Sequence, residues 1–172
     1  GLVRLSEGTF EQPEAMSTLE GKAILALEAT NSGDLWIGTK SGVVWWRRGE
    51  LQRFTTADGL SGNYVEALHD DGRGAIWIGT SRGLTRFSDG QFSQFGPAEG
   101  LRSPRVLSLE SMPDGSLWIG TRGTLYQLRE GLVFGPPEII RNEVIQGVES
   151  IYRSDGGVVW VATGFGGVYQ YQ

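Results

Sequence analysis

Ile76-Trp77-Ile78-Gly79-Thr80 is one of four nearly identical pentapeptides in this chain. The other three read Leu35-Trp36-Ile37-Gly38-Thr39, Leu117-Trp118-Ile119-Gly120-Thr121 and Val159-Trp160-Val161-Ala162-Thr163. Their tryptophans are separated by 41, 41 and 42 residues. A repeat of this length is typical of structural modules that stack or that surround a common axis. The repeat therefore indicates the architecture of the protein much more strongly than its chemistry.

The composition of the chain excludes several classes of function. It has 172 residues, no cysteine and a net charge of -5. Disulfides, thiol nucleophiles and thiolate metal sites are therefore excluded. The sequence has no run of Lys and Arg that could follow a nucleic-acid backbone, no apolar stretch near the ~20 residues of a membrane span and no visible targeting signal. We expect no nucleic-acid partner, no membrane span and no metal or other cofactor.

Each repeat unit contains the signals of four short strands. In the second unit, a first strand begins at Val65, the Trp77 pentapeptide forms the second strand, a third follows Gly83, and a fourth follows Gly90. Glycine and Asp or Asn lie at the turns between strands, where they favour tight bends. Four short antiparallel strands in about 41 residues are characteristic of a β-propeller blade.

We therefore predict an all-β protein, a β-propeller made of four-stranded antiparallel blades. Residues 1–172 form a single propeller domain or propeller segment, whose four units are centred on Trp36, Trp77, Trp118 and Trp160. Residues 14–29 have a helix-favouring composition, but the register of the repeat predicts a strand at residues 24–29.

The pentapeptide also predicts how the blades pack. Apolar residues flank each tryptophan on both sides, so the strand is expected to be covered on both faces. The four indoles, Trp36, Trp77, Trp118 and Trp160, are predicted to fill the space between adjacent blades. The glycines two positions later, Gly38, Gly79 and Gly120, are predicted to leave room for a large neighbouring side chain.

The number of strands raises a problem of closure. The first five residues match the third strand at Gly83, and the last strand, beginning at Gly167, is also a third strand. The chain thus has five copies of strand three and four copies of each other strand. Either the four units close into a four-blade ring with one terminus loose, or the chain is a segment of a larger ring, or two chains form a ring of eight units as a homodimer. Some closure is expected, because soluble proteins avoid unpaired strand edges and exposed blade faces.

Residues 59–87 resemble the two-component regulator propeller repeat. The resemblance rests on the turn at Asp71-Gly72, the core Trp77-Ile78-Gly79-Thr80 and the strand at Gly83-Leu84, and in weaker form it covers the whole chain. The third and fourth units depart from it at Gly123-Thr124, which lacks one residue, and at Ala162, which replaces glycine.

The resemblance implies a sensor or interaction role. Such repeats occur mostly in the periplasmic sensor regions of bacterial hybrid histidine kinases, where they help to sense carbohydrates or other extracellular signals. It therefore implies a periplasmic or extracellular location and a role in signal transduction. It assigns no ligand, and it leaves a small molecule, a carbohydrate or a protein as the partner. The kinase parts are not in this chain, so no phosphotransfer is expected.

Several polar residues are candidates for ligand binding. In a propeller, the loops between strands two and three share one face with the loops that join blades, near the central channel. The candidates on these loops are Lys40, Arg82, Arg122, Asn63, Tyr64, Arg102 and Arg105. Such a ring could bind an anionic or a sugar ligand. The alternative is an ordinary solvated face, whose charge is offset by acidic residues of the joining loops, namely Glu14, Glu20, Asp58, Glu99 and Glu143.

No catalytic or metal-binding residue is predicted. A Ser–His–Asp triad could be built only around His69, the single histidine, and no Gly-x-Ser-x-Gly motif accompanies it. The aspartates in the turns between strands one and two lack the spacing of a calcium-binding loop. We predict a non-catalytic recognition module of a bacterial signalling protein. The alternatives are a propeller enzyme similar to streptogramin lyases and a purely structural, self-assembling propeller fragment.

Overall fold

A computed structural model of the chain describes residues 2, 4–6, 8–11, 14–136, 147–164 and 166–171. Every strand pair in this part of the chain is antiparallel. The all-β class predicted from the repeat is thereby confirmed. None of the helices in the described ranges has the length and apolarity needed to cross a bilayer.

The strands form a short ribbon followed by four sheets. The amino-terminal ribbon contains β1 (Arg4–Ser6) and β2 (Thr9–Glu11). The first sheet contains β3 (Ile24–Ala29), β4 (Leu35–Thr39), β5 (Gly42–Arg47) and β6 (Glu50–Phe54). The second sheet contains β7 (Val65–Asp70), β8 (Ile76–Thr80), β9 (Gly83–Ser88) and β10 (Gln91–Phe95). The third sheet contains β11 (Val106–Ser111), β12 (Leu117–Thr121), β13 (Leu125–Arg129) and β14 (Leu132–Phe134). The fourth sheet contains β15 (Val148–Arg153), β16 (Val159–Thr163) and β17 (Gly167–Tyr171).

Each of the first three sheets is a four-stranded meander in which strands adjacent in sequence are also adjacent in space. These sheets are the blades that the repeat predicts. The strand predicted at residues 24–29 is confirmed as β3. The helix-favouring segment before it forms only a 3₁₀ helix at Glu14–Leu19, and a second, shorter 3₁₀ helix lies at Pro97–Glu99. Tertiary packing of the repeat therefore outweighs local helix propensity.

Successive sheets pack face to face, with their first strands β3, β7, β11 and β15 side by side around an axis. Trp36 lies in the core between the first and second sheets, Trp77 between the second and third, and Trp118 between the third and fourth. These indoles are only 1%, 8% and 7% exposed. The apolar faces on both sides of β4, β8 and β12 are therefore used in packing, and the hydrophobic effect holds the sheets together.

The glycine of the pentapeptide allows the next sheet to approach. A Cβ atom on Gly79 would lie 2.6 Å from Val106 Cγ1 in the third sheet and 3.0 Å from Ala67 Cβ in its own sheet. At Gly38, the equivalent distance to Val65 Cγ1 in the second sheet is 2.8 Å. Gly120 meets Val148 and Ser108 in the same way. The glycine therefore makes room for a Val side chain from the neighbouring first strand.

The four sheets do not close into a ring within the described residues. The fourth sheet contains only β15, β16 and β17, and β1 pairs with β2 instead of completing that sheet. Closure within the chain, one form of the closure expected above, is therefore not found, and closure between chains stays a prediction. The placement of Trp160 between blades is wrong for the chain alone. Its side chain is 39% exposed because no fifth sheet covers that face.

Candidate functional site

The turns between strands two and three and the segments that join the sheets meet on one side of the molecule. The Gly42 N–H donates to the carbonyl of Asn63 at 2.7 Å, and the Arg122 N–H donates to the carbonyl of Arg105 at 3.1 Å. We call this side the loop face and define it as residues 39–42, 55–64, 80–83, 96–105 and 121–124. These bonds bring the turns and the joining segments together, as the propeller architecture predicts.

A bulge in each first strand turns one residue toward the axis. The registers of β3, β7, β11 and β15 each shift by one residue near the start of the strand. An extra residue in one strand bends it and redirects its side chain. The extra residues are Leu25, Glu66, Leu107 and Glu149, and together with Tyr64 they line a cavity of about 210 Å³. Because all four sheets contribute, this cavity lies at the centre of the array.

Arg105 and Glu66 form a two-pronged ion pair at this cavity. Arg105 Nη2 lies 2.6 Å from Glu66 Oε1, and Arg105 Nε lies 2.9 Å from Oε2. The hydrogen bonds to Glu66, together with its charge, raise the pKa of Arg105 above its usual range. Bidentate geometry fixes the plane of a guanidinium group. The pair therefore links the second sheet to the segment before the third sheet and holds a defined set of polar groups beside the cavity.

Tyr64 supplies an aromatic surface next to that pair. Its ring lies 6.0 Å from Lys40 Nζ, which is within the range of a cation–π interaction. Its backbone carbonyl accepts the N–H of Ser81 at 3.0 Å, so its main chain is held by the second sheet. Of the seven predicted residues, Tyr64 lines the cavity, and Lys40 and Arg105 contact its lining residues Tyr64 and Glu66.

The other four predicted residues are distributed over the loop face. Arg82, Arg102 and Arg122 have exposed side chains on the turns and the joining segments. The Oδ1 atom of Asn63 instead accepts the backbone N–H of Thr56 at 2.8 Å. Asn63 therefore stabilises its own loop with this oxygen, whereas the three arginine side chains are exposed on the loop face.

Two of the acidic residues expected to offset this charge are engaged in loop capping. Asp58 accepts the N–H of Thr55 at 2.8 Å, and Glu99 accepts the N–H of Gly96 at 2.7 Å. Glu20 is exposed. The side chain of Glu14 and the whole of Glu143 lie outside the described residues. The carboxylates that directly face the cavity are instead Glu66 and Glu149, which the sequence did not indicate.

The residues missed by sequence reasoning share one position. Glu66 and Glu149 each follow a β-branched residue, Val65 and Val148, that recurs at the start of every first strand. The equivalent positions in the other two units hold leucine. The available signal for these two residues was the alternation of leucine and glutamate at one position of the four repeat units. It could not show that this position is the extra residue of a bulge and therefore faces the axis.

His69 takes part in a contact between sheets. Its Nε2 atom lies 2.8 Å from Ser111 Oγ in the third sheet, and burial lowers the pKa of the imidazole. In the described residues, the neighbouring carboxylates are used in the turn itself. Asp71 Oδ1 accepts the N–H groups of Arg73 and Ala75, and Asp70 Oδ1 accepts the N–H of Gly72.

A similar bond between sheets occurs one unit earlier. Glu28, the equivalent of His69 in the first sheet, accepts the N–H of Asp70 at 2.8 Å. The contact of His69 with Ser111 therefore has a structural explanation that requires no catalysis. Groups of three or more His, Asp or Glu that could hold a metal ion are absent from the ranges that the structure describes.

The architecture and the cavity at the axis define the chain as a segment of a β-propeller. A family model described as Two component regulator propeller matches residues 59–82. This match confirms the resemblance that the sequence of the second unit indicates.

Solved structures share the fold. The extracellular domain of a hybrid two-component system from B. thetaiotaomicron matches at 23% identity and a TM-score of 0.67, over 88% of this chain and 23% of that chain. The extracellular domain of a one-component system from the same organism matches at 20% identity and a TM-score of 0.71, over 94% of this chain and 23% of that chain. A catalytically inactive virginiamycin B lyase from Staphylococcus aureus, crystallised with quinupristin, matches at 13% identity and a TM-score of 0.67, over 90% of this chain and 57% of that chain.

The chain thus spans about a quarter of the length of the two extracellular domains. No curated protein matches its sequence.

Proposed function

We propose that this chain is a non-catalytic recognition module of a bacterial signalling protein, located outside the cytoplasm, and that its loop face binds an acidic carbohydrate. The match to the two-component regulator propeller and the likeness to the extracellular domains of two-component and one-component systems support the signalling role and the location. The chemistry of the loop face supports the class of ligand.

The observation that carries the proposal is that Tyr64 and Glu66 line one cavity, with Lys40 over the ring of Tyr64 and Arg105 paired to Glu66. An aromatic ring offers a flat apolar surface to the C–H groups of a sugar. The fixed guanidinium and carboxylate groups offer donors and acceptors to its hydroxyl groups. Polar groups held in place before binding lower the cost of ordering them.

The exposed cations of the loop face favour an acidic sugar over a neutral one. Arg82, Arg102 and Arg122 are exposed on this face, although the whole chain has a net charge of -5. A local group of cations on an acidic protein attracts anions to one face and repels them from the rest of the surface. A carboxylated or sulfated sugar unit combines a negative charge with C–H groups that can pack on the ring of Tyr64.

The cavity is too small for an entire oligosaccharide. Its volume of about 210 Å³ is below the range of about 300–1,000 Å³ that is usual for drug-sized ligands. Because Glu66 and Glu149 line the cavity, the acidic groups of the ligand would stay outside it, and only hydroxyl and C–H groups of one sugar unit would face it. The acidic groups would lie across the loop face, where Arg82 and Arg122 are exposed.

The proposal is tested by calorimetric titration with oligogalacturonate as the acidic sugar and maltohexaose as the neutral one. We expect binding of oligogalacturonate alone. The double variant Arg82→Glu with Arg122→Glu should weaken this binding by about tenfold or more, and Tyr64→Ala should weaken it similarly. The control is Arg48→Glu with Arg73→Glu, which makes the same charge change in turns on the opposite side. Equal loss in the control, or unchanged affinity in the loop-face variants, would overturn the proposed site.

A further inference from the structure

The outer face of the fourth sheet is apolar and exposed. Trp160 and Val168 are 39% and 66% exposed. Their equivalents in the first three sheets are buried: Trp36, Trp77 and Trp118 are at most 8% exposed, and Val43, Leu84 and Leu125 are fully buried. Tyr152, on the same face, is 61% exposed. We call Tyr152, Trp160 and Val168 the tail face. It is the same surface that three other sheets of this chain bury against a neighbour.

The first sheet leaves the complementary surface partly uncovered. Leu27 on β3 is 49% exposed, whereas the equivalent Leu109 and Ile151 are each 7% exposed because they pack on the preceding sheet. We call the outer surface of the first sheet, marked by Leu27, Ile37 and Val44, the head face. One chain thus contains both halves of a further sheet-to-sheet interface, at opposite ends of the array.

Residues that precede β3 already cover part of the head face. Leu2 packs with Met16 and Leu19 against Ile37 and Val44 of the first sheet. In the repeat, Leu2 is the equivalent of Val168, because each follows the glycine of a third strand. Leu2, which precedes β1, therefore contacts the first sheet where Val168 of β17 would lie if the fourth sheet packed there.

The partner that fits the tail face is a second copy of this chain. Within the described residues, the sheets run in one series and the two end faces do not meet. A sheet that covers the tail face must carry the residue pattern of the head face, which this chain has. The new contact would continue an interface that already occurs three times in the molecule. A contact between two different surfaces is heterologous, and it closes when the rotation between subunits permits.

We propose that two copies of this chain associate head to tail, with the tail face of one on the head face of the other, and with β17 replacing β1 beside β2. The repeat predicts that β2 is a fourth strand, which is the strand that the fourth sheet lacks. Strand β1 then acts as a removable plug on the head face, so association requires its displacement.

The test is sedimentation equilibrium of the full chain over a wide range of concentration. We expect a reversible dimer. Val168→Glu should abolish it without harming the monomer, because Val168 is exposed in the single chain. Leu27→Glu should also abolish the dimer, because it places a charge on the head face. Leu132→Glu is the matched control, since Leu132 is 57% exposed on β14, apart from both end faces, and it should dimerise like the unchanged protein.

Mixing the two inactive variants distinguishes a head-to-tail contact from a symmetric one. Val168→Glu keeps an intact head face and Leu27→Glu keeps an intact tail face, so their equimolar mixture should form a dimer although neither does alone. Leu2→Ser should increase the dimer fraction because it weakens the plug. A chain that remains monomeric at every concentration, including one that closes on itself, would overturn the proposal. So would a Val168→Glu variant that dimerises normally, a mixture that stays monomeric, or a dimer fraction lowered by Leu2→Ser.

Discussion

At the scale of single residues, the contact between neighbouring sheets depends on the absence of a side chain. Gly79 pairs with Ala67 across β7 and β8, and the two small residues together admit Val106 from the next sheet. The close approach of the next sheet, and not a special backbone angle, explains why the pentapeptide needs glycine here. Close-packed interiors respond to the addition of even one methyl group.

Replacing Gly79 by alanine should therefore destabilise the protein. The added Cβ atom would lie 2.6 Å from Val106 Cγ1, so the third sheet must shift. We expect a loss of about 1–3 kcal/mol in the free energy of unfolding, measured by chemical denaturation. Gly135→Ala is the control, because a Cβ atom at Gly135 would meet nothing within 4 Å. Val106→Ala should reduce the loss caused by Gly79→Ala, and simple additivity of the two changes would contradict the contact.

His69 should make the stability of the fold depend on pH. Burial lowers the pKa of the imidazole, while the charges of Asp71 and Asp70 oppose this effect and that of Arg153 adds to it. The folded state thus favours the neutral ring. The neutral ring therefore stabilises the fold above the ordinary histidine pKa of about 6.5. This stabilisation is lost as the pH falls from there through the lower pKa of the folded state.

The check is the free energy of unfolding of the unchanged protein and of His69→Gln, measured from about pH 8 to about pH 5.5. As the pH falls, the unchanged protein should lose more of its free energy of unfolding than His69→Gln does. The burial of Glu28 and Glu110, whose pKa values are raised, affects both proteins alike. A difference that stays constant over this range would show that His69 is not held in its neutral form.

At the scale of the strand, the sequence predicted the regular features and missed the irregular ones. The repeated pentapeptide predicted the strands β4, β8 and β12, because a short apolar run between turn residues is typical of a buried strand. The bulges at Glu66 and Glu149 were missed because a bulge depends on how two strands pair, which one strand's composition does not reveal. The Arg105–Glu66 pair was missed for a related reason: its partners are 39 residues apart and meet only after the sheets pack.

The second strands should differ in their contribution to stability according to their neighbours. Trp77→Ala should cost about 3–5 kcal/mol, because the indole is 8% exposed between two sheets. Trp160→Ala should cost clearly less in the monomer, because Trp160 is 39% exposed at the open end. Urea denaturation of both variants tests the comparison. Equal losses, or an unchanged midpoint for Trp77→Ala, would contradict the packing described here.

At the scale of the whole molecule, the four sheets form a series with two different ends. The repeat predicted the number of blades and the surplus third strand, but it could not show which faces find a neighbour within one chain. That outcome depends on the rotation between successive sheets, which small differences in packing determine. The open series places the cavity of Glu66 and Glu149 at the axis while leaving the tail face available for a further sheet.

The equivalent indoles lie between packed sheets, and within the described residues only the last of the four, Trp160, lacks a neighbouring sheet on its face. Hydroxyl-radical footprinting with mass spectrometry measures this directly on the Val168→Glu variant, in which the tail face should stay open. We expect slow oxidation of Trp36, Trp77 and Trp118 and much faster oxidation of Trp160. Similar rates at all four tryptophans, or fast oxidation of Trp77 and Trp118, would contradict it.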